Sequence, residues 1–560
     1  MDVGKVLAHG QPSLARSAGI VSVLRFLLHL TSRARHARRN TVVLVAASIV
    51  LVAFASYQRL AKSRYGRRRR RLPPGPTNYP FLGILPLLGS ENPGKSALEL
   101  SKKYGPVFYG KLGSFHAIFL NDYESVKEAF ARSGDAFSDR PRLTSLEIYG
   151  QGRGVACCHY DNQWKEQRRF LLKLLRNQGM GRAGNSLEDR ILTEASILAD
   201  AVAATSGKNF DPKLLMTKAV SNIICGLTFG KRFDYDDCKF EQFINALERV
   251  FEHADVAGAT NYFWFMKYVP FSACHKLDDL ARKLERGLFA HERDVHKKVF
   301  NPDDCRDMID FFLKETRENE EKVRAGEKVV TGFKEEYLPS LIGDIFAAGT
   351  DTTACSMYWL MILTIKYPKY QLRVQEELDR VVGRHRLPRQ SDRSSLPFVN
   401  AFLAETLRFA AGGPFGVPHG AVTDTTFRGY DVPKGTVMVA NHYAILYDPE
   451  VFPNPDTFDP CRFLDEDGYI IKSLVDRTHS QFGVGRRACV GEQLAQSERF
   501  IFFTHLLHQF NFSAPNGPDS VSLNSHFGLS RSPFPYELRA EKRDIAVIIG
   551  EGDQEPVRQR

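Results

Sequence analysis

The chain has 560 residues, of which 43% are hydrophobic and 25% are charged. This composition excludes a disordered chain, and 28 prolines without a repeating period exclude a collagen-like one. The net charge is +11, but residues 1–71 hold fifteen basic residues and one acidic residue, so the remaining chain sums to −3. A nucleic-acid-binding protein spreads its basic residues over its folded domain, so we expect no nucleic-acid partner.

An uncharged apolar run, TVVLVAASIVLVAFASY, occupies residues 41–57. At ~1.5 Å per residue, a helix of this length covers roughly 25 Å, which is the short end of a membrane span. The alternatives are a buried core helix and a cleaved signal peptide, but a signal peptide lies nearer the N-terminus and ends in small residues. We therefore predict one N-terminal transmembrane helix, a retained anchor, preceded by a basic extension over residues 1–40.

Basic residues flank this run unequally, with four within fifteen residues on its N-terminal side and eight on its C-terminal side. The positive-inside rule then places the C-terminal side, and the large domain with it, in the cytoplasm. Residues 19–30 of the extension have the character of an interfacial helix, while the Arg-rich, acid-poor leader also fits a mitochondrial transit peptide. The nine cysteines include no C-x-x-C pair, which indicates a reducing compartment and neither a zinc site nor a disulfide framework.

Three further segments follow the anchor. Residues 58–76 form a basic and Pro-rich hinge, residues 77–545 one globular domain, and residues 546–560 a polar tail. Helical patterns cover 161–176, 186–230, 239–255, 275–298, 335–366 and 369–382. Strand patterns cover 107–111, 116–120, 427–432 and 437–440, and the last two are punctuated as a hairpin. The predicted fold class is mainly α with small β-sheets.

The sharpest motif is the loop FGVGRRACVG, from Phe482 to Gly491, which runs into an amphipathic helix. Glycines on both sides of the cysteine allow a tight backbone loop close to a bulky planar ligand. A Cys489 thiolate at the start of the helix gains from unpaired N–H groups and the helix dipole. A thiolate bound to haem iron favours O–O cleavage, whereas the alternative is a plain buried cysteine.

This loop resembles the haem-binding loop of the cytochrome P450 monooxygenases, F-x-x-G-x-R-x-C-x-G. The resemblance implies the family's fold and a haem b cofactor, with Cys489 as the axial thiolate ligand of the iron. It also implies that Arg487 pairs with a haem propionate and that Phe482 and Gly485 belong to the binding loop.

The second motif is AAGTDTT, from Ala347 to Thr353, within the predicted helix 335–366. A glycine inside a helix costs roughly 1 kcal/mol relative to alanine, and threonine hydroxyls can compete for backbone carbonyls and open the helix locally. An acid beside an alcohol can relay protons to bound dioxygen, while a solvent-exposed cap is the alternative. The segment resembles the family's A-G-x-D-T-T signature, which implies Asp351 and Thr352 as the catalytic relay.

Three further resemblances follow along the chain. Glu405 and Arg408 match the family's E-x-x-R, and Arg462 would close a structural network with them, although Cys461 stands where the family usually has glutamate. Alone, such a pair would be an ordinary surface ion pair. The family's W-x-x-x-R matches Trp164 and Arg168, which implies contacts to the haem propionates, and His419 matches another propionate-binding position. Without the resemblance, core packing and an ordinary polar contact would explain these residues.

The resemblance covers residues 72–540, and it is strongest with the microsomal branch over 164–181 and 414–419. Those stretches resemble drug-, fatty-acid- and steroid-oxidising enzymes, including aryl-hydrocarbon and steroid 17-hydroxylases. The extension over 1–40 departs from the microsomal pattern. The resemblance implies an endoplasmic reticulum membrane protein with its catalytic domain facing the cytoplasm, with mitochondria as the alternative. The residues expected over the haem carry no charge: Phe346, Ala347, Ala348, Phe415, Val417 and Leu529.

The implied activity is insertion of one oxygen atom of O2 into a steroid, a fatty acid or a xenobiotic. The chain has no flavin or nicotinamide module, so NADPH–cytochrome P450 reductase, and possibly cytochrome b5, would deliver the electrons. Basic residues on the 161–176 helix, including Lys165, Arg169 and Lys173, would dock such a partner or form a solvated face. The alternatives are a haem-thiolate isomerase or dehydratase, against which the Asp351–Thr352 pair argues, and a non-enzymatic haem sensor or lipid carrier.

Overall fold

A computed structural model of the chain describes residues 70–89, 91–150, 152–177, 187–253, 259–269, 272–327, 329 and 332–543. The predicted extension, the anchor at 41–57 and the tail at 546–560 lie outside these residues. Within the described ranges, no helix combines the length and the apolar character needed to cross a membrane.

Helices make up most of the described chain. The first nine are α1 (Leu85–Leu88), α2 (Pro93–Tyr104), α3 (Tyr123–Lys127), α4 (Gly134–Phe137), α5 (Thr144–Gly150), α6 (Asn162–Asn177), α7 (Leu187–Ala204), α8 (Lys213–Thr228) and α9 (Cys238–His253). The others are α10 (Ala273–Leu284), α11 (Ala290–Val299), α12 (Met308–Arg324), α13 (Leu338–Lys366), α14 (Pro368–Val381), α15 (Pro397–Ala410), α16 (His442–Leu446), α17 (Lys472–Thr478) and α18 (Glu492–Gln509).

The strands are short and form four small sheets. They are β1 (Val107–Leu112), β2 (Phe115–Leu120), β3 (His419–Gly420), β4 (Thr425–Phe427), β5 (Tyr430–Val432), β6 (Val437–Ala440), β7 (Phe510–Ser513), β8 (Ser525–Phe527), β9 (Arg531–Pro533) and β10 (Arg539–Lys542). One sheet has the order β1-β2-β6-β3, and the two-stranded sheets are β4-β5, β7-β10 and β8-β9. The predicted fold class, mainly α with small sheets, is therefore the observed one.

The long helix α13 runs through the main hydrophobic core, where it packs against α8, α15 and α18. Most of its residues are buried. Helices α8 and α13 approach each other closely at Gly349, where an added Cβ atom would lie 2.5 Å from Cδ1 of Ile224. The glycine in this helix therefore has a packing reason that the sequence did not reveal.

Two predicted elements differ from the structure. The helix predicted over 186–230 is two helices, α7 and α8, because Ser206 and Gly207 take positive φ angles of 53° and 73° and Pro212 follows. The hairpin predicted between 427–432 and 437–440 is wrong. Arg428 and Gly429 turn the chain inside the first segment, so that β4 pairs with β5, while β6 pairs in parallel with β2.

The hinge predicted over 58–76 is described only from residue 70 onward. Its last residues lie against the domain: the backbone N–H of Tyr109 in β1 donates to the Pro74 carbonyl over 2.8 Å, and Pro73 and Pro76 are buried. At Gly75 a side chain would collide with the Tyr109 carbonyl. The segment 72–76 thus packs against β1.

Candidate active site

The loop that carries Cys489 is shaped by two glycines. Gly483 and Gly485 both have φ of 77°, and a side chain at Gly485 would collide with the Phe130 carbonyl. The Cys489 N–H donates to the Phe482 carbonyl over 2.7 Å and closes the loop just before α18. The loop is therefore a fixed turn that holds one thiol at the start of a helix.

The Cys489 side chain has exposed surface, although protein atoms surround most of its thiol. Burial raises the pKa of this thiol above 9.0, while the N–H groups of Gly491 and Glu492 and the charge of Arg168 act to lower it. A thiol in this state gives up its proton when a metal ion ligates it. The start of α18 supplies the donors that would stabilise the resulting thiolate.

Two buried guanidinium groups, those of Arg140 and Arg487, lie behind this loop and donate to backbone carbonyls. The acceptors are Ser138, Val155 and Cys158 for Arg487, and Ala156, Val417 and Pro418 for Arg140. Among the described residues neither arginine forms an ion pair with a carboxylate. Burial, together with the charge of Arg487, lowers the pKa of Arg140 to about 9. Two such cations side by side favour a ligand that carries negative charge.

Trp164 and Arg168, one turn apart on α6, join this cluster to the cysteine loop. The Arg487 guanidinium lies 4.3 Å from the centroid of the buried Trp164 ring, and that of Arg168 lies 5.6 Å from it. Arg168 also donates to the Ala488 carbonyl over 2.6 Å. The helix α6 is amphipathic, so it buries Trp164 while Arg168 reaches the residue before Cys489.

His419 lies on β3 at the edge of the same cluster. Its Nδ1 is 2.8 Å from the Phe137 carbonyl, and its ring stacks on Phe130 with centroids 3.7 Å apart. Burial, reinforced by the charge of Arg140, lowers the pKa of His419 well below 6.5. A carboxylate beside its other nitrogen would oppose this shift and favour the protonated ring.

The acid–alcohol pair lies on α13, which is continuous here and is not opened by its threonines. The Thr352 hydroxyl donates to the Ala348 carbonyl over 2.6 Å, and these two residues share an exposed strip one turn long on this mostly buried helix. Asp351 is turned toward the β8–β9 hairpin, where Ser530 donates to its Oδ2 over 2.6 Å. Burial raises the pKa of Asp351 to about 6, so the carboxyl exchanges its proton near neutral pH.

Glu405, Arg408 and Arg462 are joined in one hydrogen-bonded network. The fully buried Glu405 accepts from Arg408 over 2.6 and 2.8 Å, and from Arg462 over 3.2 Å. Cys461, which stands where glutamate was expected, takes no part: it is exposed, and its sulfur accepts from Arg373 over 3.1 Å. The network therefore forms without the usual acidic residue.

The predicted pocket residues fall into two groups. Phe415, Val417 and Leu529 are half-buried against one apolar cluster beside β1, β2 and β6. On α13, Ala348 is exposed, whereas Ala347 is buried and Phe346 has no exposed surface. The Phe346 ring packs against Phe229, Phe243 and Phe289. Phe346 is thus a core residue, whereas Ala348 lies on the exposed face of α13.

The sequence analysis missed two residues of this site. Arg140 is not part of any recognisable sequence spacing, because only the fold brings it close to Arg487. Asp344 lies two helical turns before Asp351 and accepts the N–H groups of Val155 and Ala156 over 2.6 and 2.9 Å. Its seven-residue spacing from Asp351 would have placed both carboxyls on one face of α13. Asp344 ties α13 to the loop whose carbonyls hold Arg140 and Arg487.

These features together fit haem. The loop offers a thiol for the iron, and the buried cations Arg140 and Arg487, neither of which forms an ion pair among the described residues, suit two propionates. The fold and the site therefore place the chain in the class of haem-thiolate proteins.

Comparisons with known proteins agree with this class. The family model "Cytochrome P450" matches residues 73–540. The chain is 38% identical to cytochrome P450 2J2 of Homo sapiens, with 85% of this chain and 92% of the relative covered. It is 34% identical to cytochrome P450 2U1 of Rattus norvegicus over the same shares, and 34% identical to cytochrome P450 1B1 of Homo sapiens, with 91% and 94% covered.

The chain belongs to the cytochrome P450 family, in its microsomal branch. It is a monooxygenase, an oxidoreductase whose cofactor is haem with a cysteine thiolate as a ligand of the haem iron. Membership implies oxygen insertion into lipophilic substrates and a redox partner.

Proposed function

We propose that the protein hydroxylates a neutral lipophile at the endoplasmic reticulum membrane, with Cys489 as the iron ligand and electrons from NADPH–cytochrome P450 reductase. The observation that carries this proposal is the thiol at the start of α18 together with two buried cations that form no ion pair among the described residues. When bound, the haem supplies activation of O2 for insertion into a C–H bond.

The residues around the cysteine have binding and orienting roles in this proposal. Arg487 and Arg140 bind the carboxylates of the cofactor, and Trp164 keeps the Arg487 side chain in place by lying 4.3 Å from it. Arg168 fixes the loop through the Ala488 carbonyl. His419 offers its second ring nitrogen at the same edge.

Proton delivery is the proposed role of Asp351 and Thr352. A carboxyl with a pKa of about 6 takes a proton from water and releases it near neutral pH. The Thr352 hydroxyl, which now donates to the Ala348 carbonyl, is exposed on α13 and can pass the proton onward. In this proposal Asp351 is the proton source, and Thr352 is the donor that follows it in the relay.

The exposed face of α6 is the proposed docking site for the reductase, with cytochrome b5 as a second electron donor. Lys165, Arg169 and Lys173 lie along this face, and all three side chains are exposed. Arg168 on the same helix contacts the residue before Cys489, so a partner bound here lies close to the proposed iron ligand. The positive charges would attract an acidic partner surface.

The proposed substrate is a neutral steroid-like or aromatic compound, ranked above a fatty acid. Phe415, Val417, Leu529 and Ala348 carry no charge, so an apolar ligand gains roughly 25 cal/mol per Å² buried there, whereas an unpaired carboxylate does not. Aromatic side chains on the surface of the segment 261–269, Phe265 at 47% and Tyr268 at 68% exposed, support entry from a lipid surface. Spectral titration of the ferric protein with estradiol and with laurate tests this: a Soret shift with laurate alone would contradict the ranking.

The ligand assignment is tested with Cys489→Ala in the full-length protein. The reduced carbon monoxide complex should lose the red-shifted Soret band of a thiolate-bound haem. The matched control is Cys238→Ala, because Cys238 is also exposed but lies at the start of α9. Retention of the band in Cys489→Ala would show that another cysteine binds the iron.

A further inference from the structure

A cavity of about 140 Å³ lies between α8, α9, α13 and the β8–β9 hairpin. Its polar lining residues include Lys213, Glu248, Asp351, His526, Ser530 and Ser532. A cavity of this size with polar groups along its wall has room for several water molecules. It is therefore a place where water reaches the carboxyl of Asp351.

The two ends of the cavity differ in exposure. Lys213 of α8 and Glu248 of α9 form an ion pair over 3.2 Å, and their side chains are 40% and 29% exposed. At the inner end the neighbours of Asp351 are buried, among them Thr350 and Ala354. The ion pair thus marks the solvent side, and Asp351 lies on the way to the buried side.

Ser530 holds the Asp351 carboxyl from the tip of the β8–β9 hairpin. Its hydroxyl donates to Oδ2 over 2.6 Å, and its carbonyl accepts from Gly528 N–H over 3.0 Å, which closes the tip. The next residue, Arg531, fixes the hairpin: its carbonyl accepts from Trp359 Nε1 over 2.9 Å. Its guanidinium donates to the Phe409 and Ala410 carbonyls over 2.9 and 3.0 Å. The Ser530 hydroxyl is therefore a rigidly placed donor.

We propose that Ser530 is a positioning residue, which fixes the Asp351 carboxyl at a water-holding cavity that admits protons from solvent past the Lys213–Glu248 ion pair. The inference rests on the proposed relay role of Asp351 and adds the residues that serve it. A proton from solvent reaches the carboxylate through the cavity water, which takes up one proton on the solvent side as it gives one to the carboxylate. The carboxyl then releases the proton toward Thr352 and is ionised again, ready for the next proton from solvent.

Charged and titratable groups from every neighbouring element line the same cavity as this carboxyl. They are Lys213 of α8, Glu248 of α9, Cys355 and Tyr358 of α13, and His526 of the hairpin. Burial raises the pKa of Asp351 to about 6, against the lowering effects of the Ser530 hydrogen bond and Lys213, while Glu248 adds to the rise. Loss of the Ser530 hydroxyl should therefore raise the pKa of Asp351, and loss of the Glu248 charge should lower it.

Infrared spectroscopy of the haem-loaded protein tests the proposal without turnover. The C=O stretch of the protonated carboxyl, assigned by its loss in Asp351→Asn, should appear in the wild type as the pH falls through about 6. In Ser530→Ala it should appear at higher pH, and in Glu248→Gln at lower pH. Ser530→Thr should restore the wild-type titration, and Ser532→Ala, the matched control from the same cavity wall, should leave it unchanged.

An unchanged titration in Ser530→Ala would overturn the proposal, as would an equal shift in Ser532→Ala. If Ser530→Ala fails to bind haem, Ser530→Gly removes the same hydroxyl from a hairpin tip that already contains Gly528, and the same outcomes apply. The proposed function fails separately: if Asp351→Asn formed as much product per NADPH as the wild type, Asp351 would not be the proton source. In that case the hydrogen bond from Ser530 to Asp351 would exist but would have no role in proton delivery.

Discussion

At the residue scale, a single buried carboxylate organises the region beside the cysteine loop. Glu405 is fully buried and accepts from both nitrogens of the Arg408 side chain that face it, from Arg462, and from the Asp459 N–H over 2.9 Å. Both carboxylate oxygens accept hydrogen bonds, so the negative charge of Glu405 is stabilised by hydrogen-bond donors as well as by nearby positive charge. Such a network is stable as a whole but is sensitive to the loss of its central member.

Glu405→Ala should destabilise the protein by roughly 3–5 kcal/mol, because it leaves the buried Arg408 guanidinium without its counter-charge. Urea unfolding of the haem-loaded protein, followed by far-UV circular dichroism, measures this free energy. The control is Arg317→Ala, which breaks an exposed ion pair to Glu321 and should cost about 0–1 kcal/mol. Equal losses in the two variants would contradict the special role of the buried network.

At the element scale, the position of α13 depends on how closely α8 can approach it. Gly349 stands where any side chain would collide with Ile224, whose Cδ1 would be 2.5 Å and Cγ1 2.9 Å from the new Cβ atom. Helix propensity alone would favour alanine at this position by roughly 1 kcal/mol. The packing of the two helices opposes that preference, because Ile224 is itself buried in the core.

Gly349→Ala should therefore destabilise the protein by about 1–3 kcal/mol, the usual cost of overpacking a core. Ile224→Val removes the colliding methyl group and by itself should cost about 0.5–1.5 kcal/mol. The double variant should be more stable than the sum of the single effects predicts, which a double-mutant cycle in urea unfolding measures. Simple additivity, or a stabilising Gly349→Ala, would show that Ile224 does not set the helix spacing.

At the junction of α11 and α12, a buried histidine lies between two hydrogen-bond acceptors and links the two helices. His296 Nδ1 is 2.7 Å from the Glu292 carbonyl, and Nε2 is 2.9 Å from Asp307 Oδ2. Asp307 also caps α12 by accepting the N–H groups of Ile309 and Asp310. Burial tends to lower the pKa of His296, but the Asp307 hydrogen bond and charge outweigh it and hold the pKa above 6.5.

Because the folded pKa is raised, the protonated ring stabilises the fold fully below the unfolded value of 6.5, and this stabilisation is lost as the pH rises through the folded pKa. We expect the free energy of unfolding to fall over that range in the wild type. His296→Gln should be less stable at low pH and should lack this component of the pH dependence. Urea unfolding at a series of pH values measures both, and parallel curves for the two proteins would exclude His296 as the source.

At the scale of the whole molecule, the start of the described chain closes one edge of the domain. The Arg71 N–H donates to Asp431 Oδ2 over 2.8 Å, the Asp431 N–H donates back to the Arg71 carbonyl over 2.7 Å, and Pro74 accepts from Tyr109. Leu72 packs against the apolar cluster beneath the sheet. Residues 71–76 thus belong to the folded unit and not to a free linker.

A protein that begins at residue 70 should bind haem, because every proposed haem contact lies beyond this point. A protein that begins at residue 77 should be less stable by roughly 1–4 kcal/mol, since it loses three hydrogen bonds of this edge, two between backbone groups and one to the Asp431 side chain. Urea unfolding compares the two proteins directly, and both lack the same residues 1–69. Equal stability would mean that the edge contacts contribute nothing to the domain.

The sequence by itself determined the features that depend on neighbouring residues. Three such motifs are the cysteine loop, the acid–alcohol pair of the long helix and the Glu405–Arg408 pair. Each lies within ten residues or one helical turn, where the local backbone determines which side chains are neighbours. The family assignment, which rests on these motifs, is confirmed. The mainly α class follows for the same reason, because helix periodicity is a local signal.

Only the tertiary structure decided which distant segments meet. It paired β6 with β2 across more than 300 residues and not with its neighbour in the chain, brought Arg140 to Arg487, and placed Phe346 in the core. It also supplied the reasons for Gly349 and for the Ser530 bond to Asp351. Strand pairing, buried charge and close helix approach are set by packing and desolvation between remote parts of the chain, and these leave no spacing pattern in the sequence.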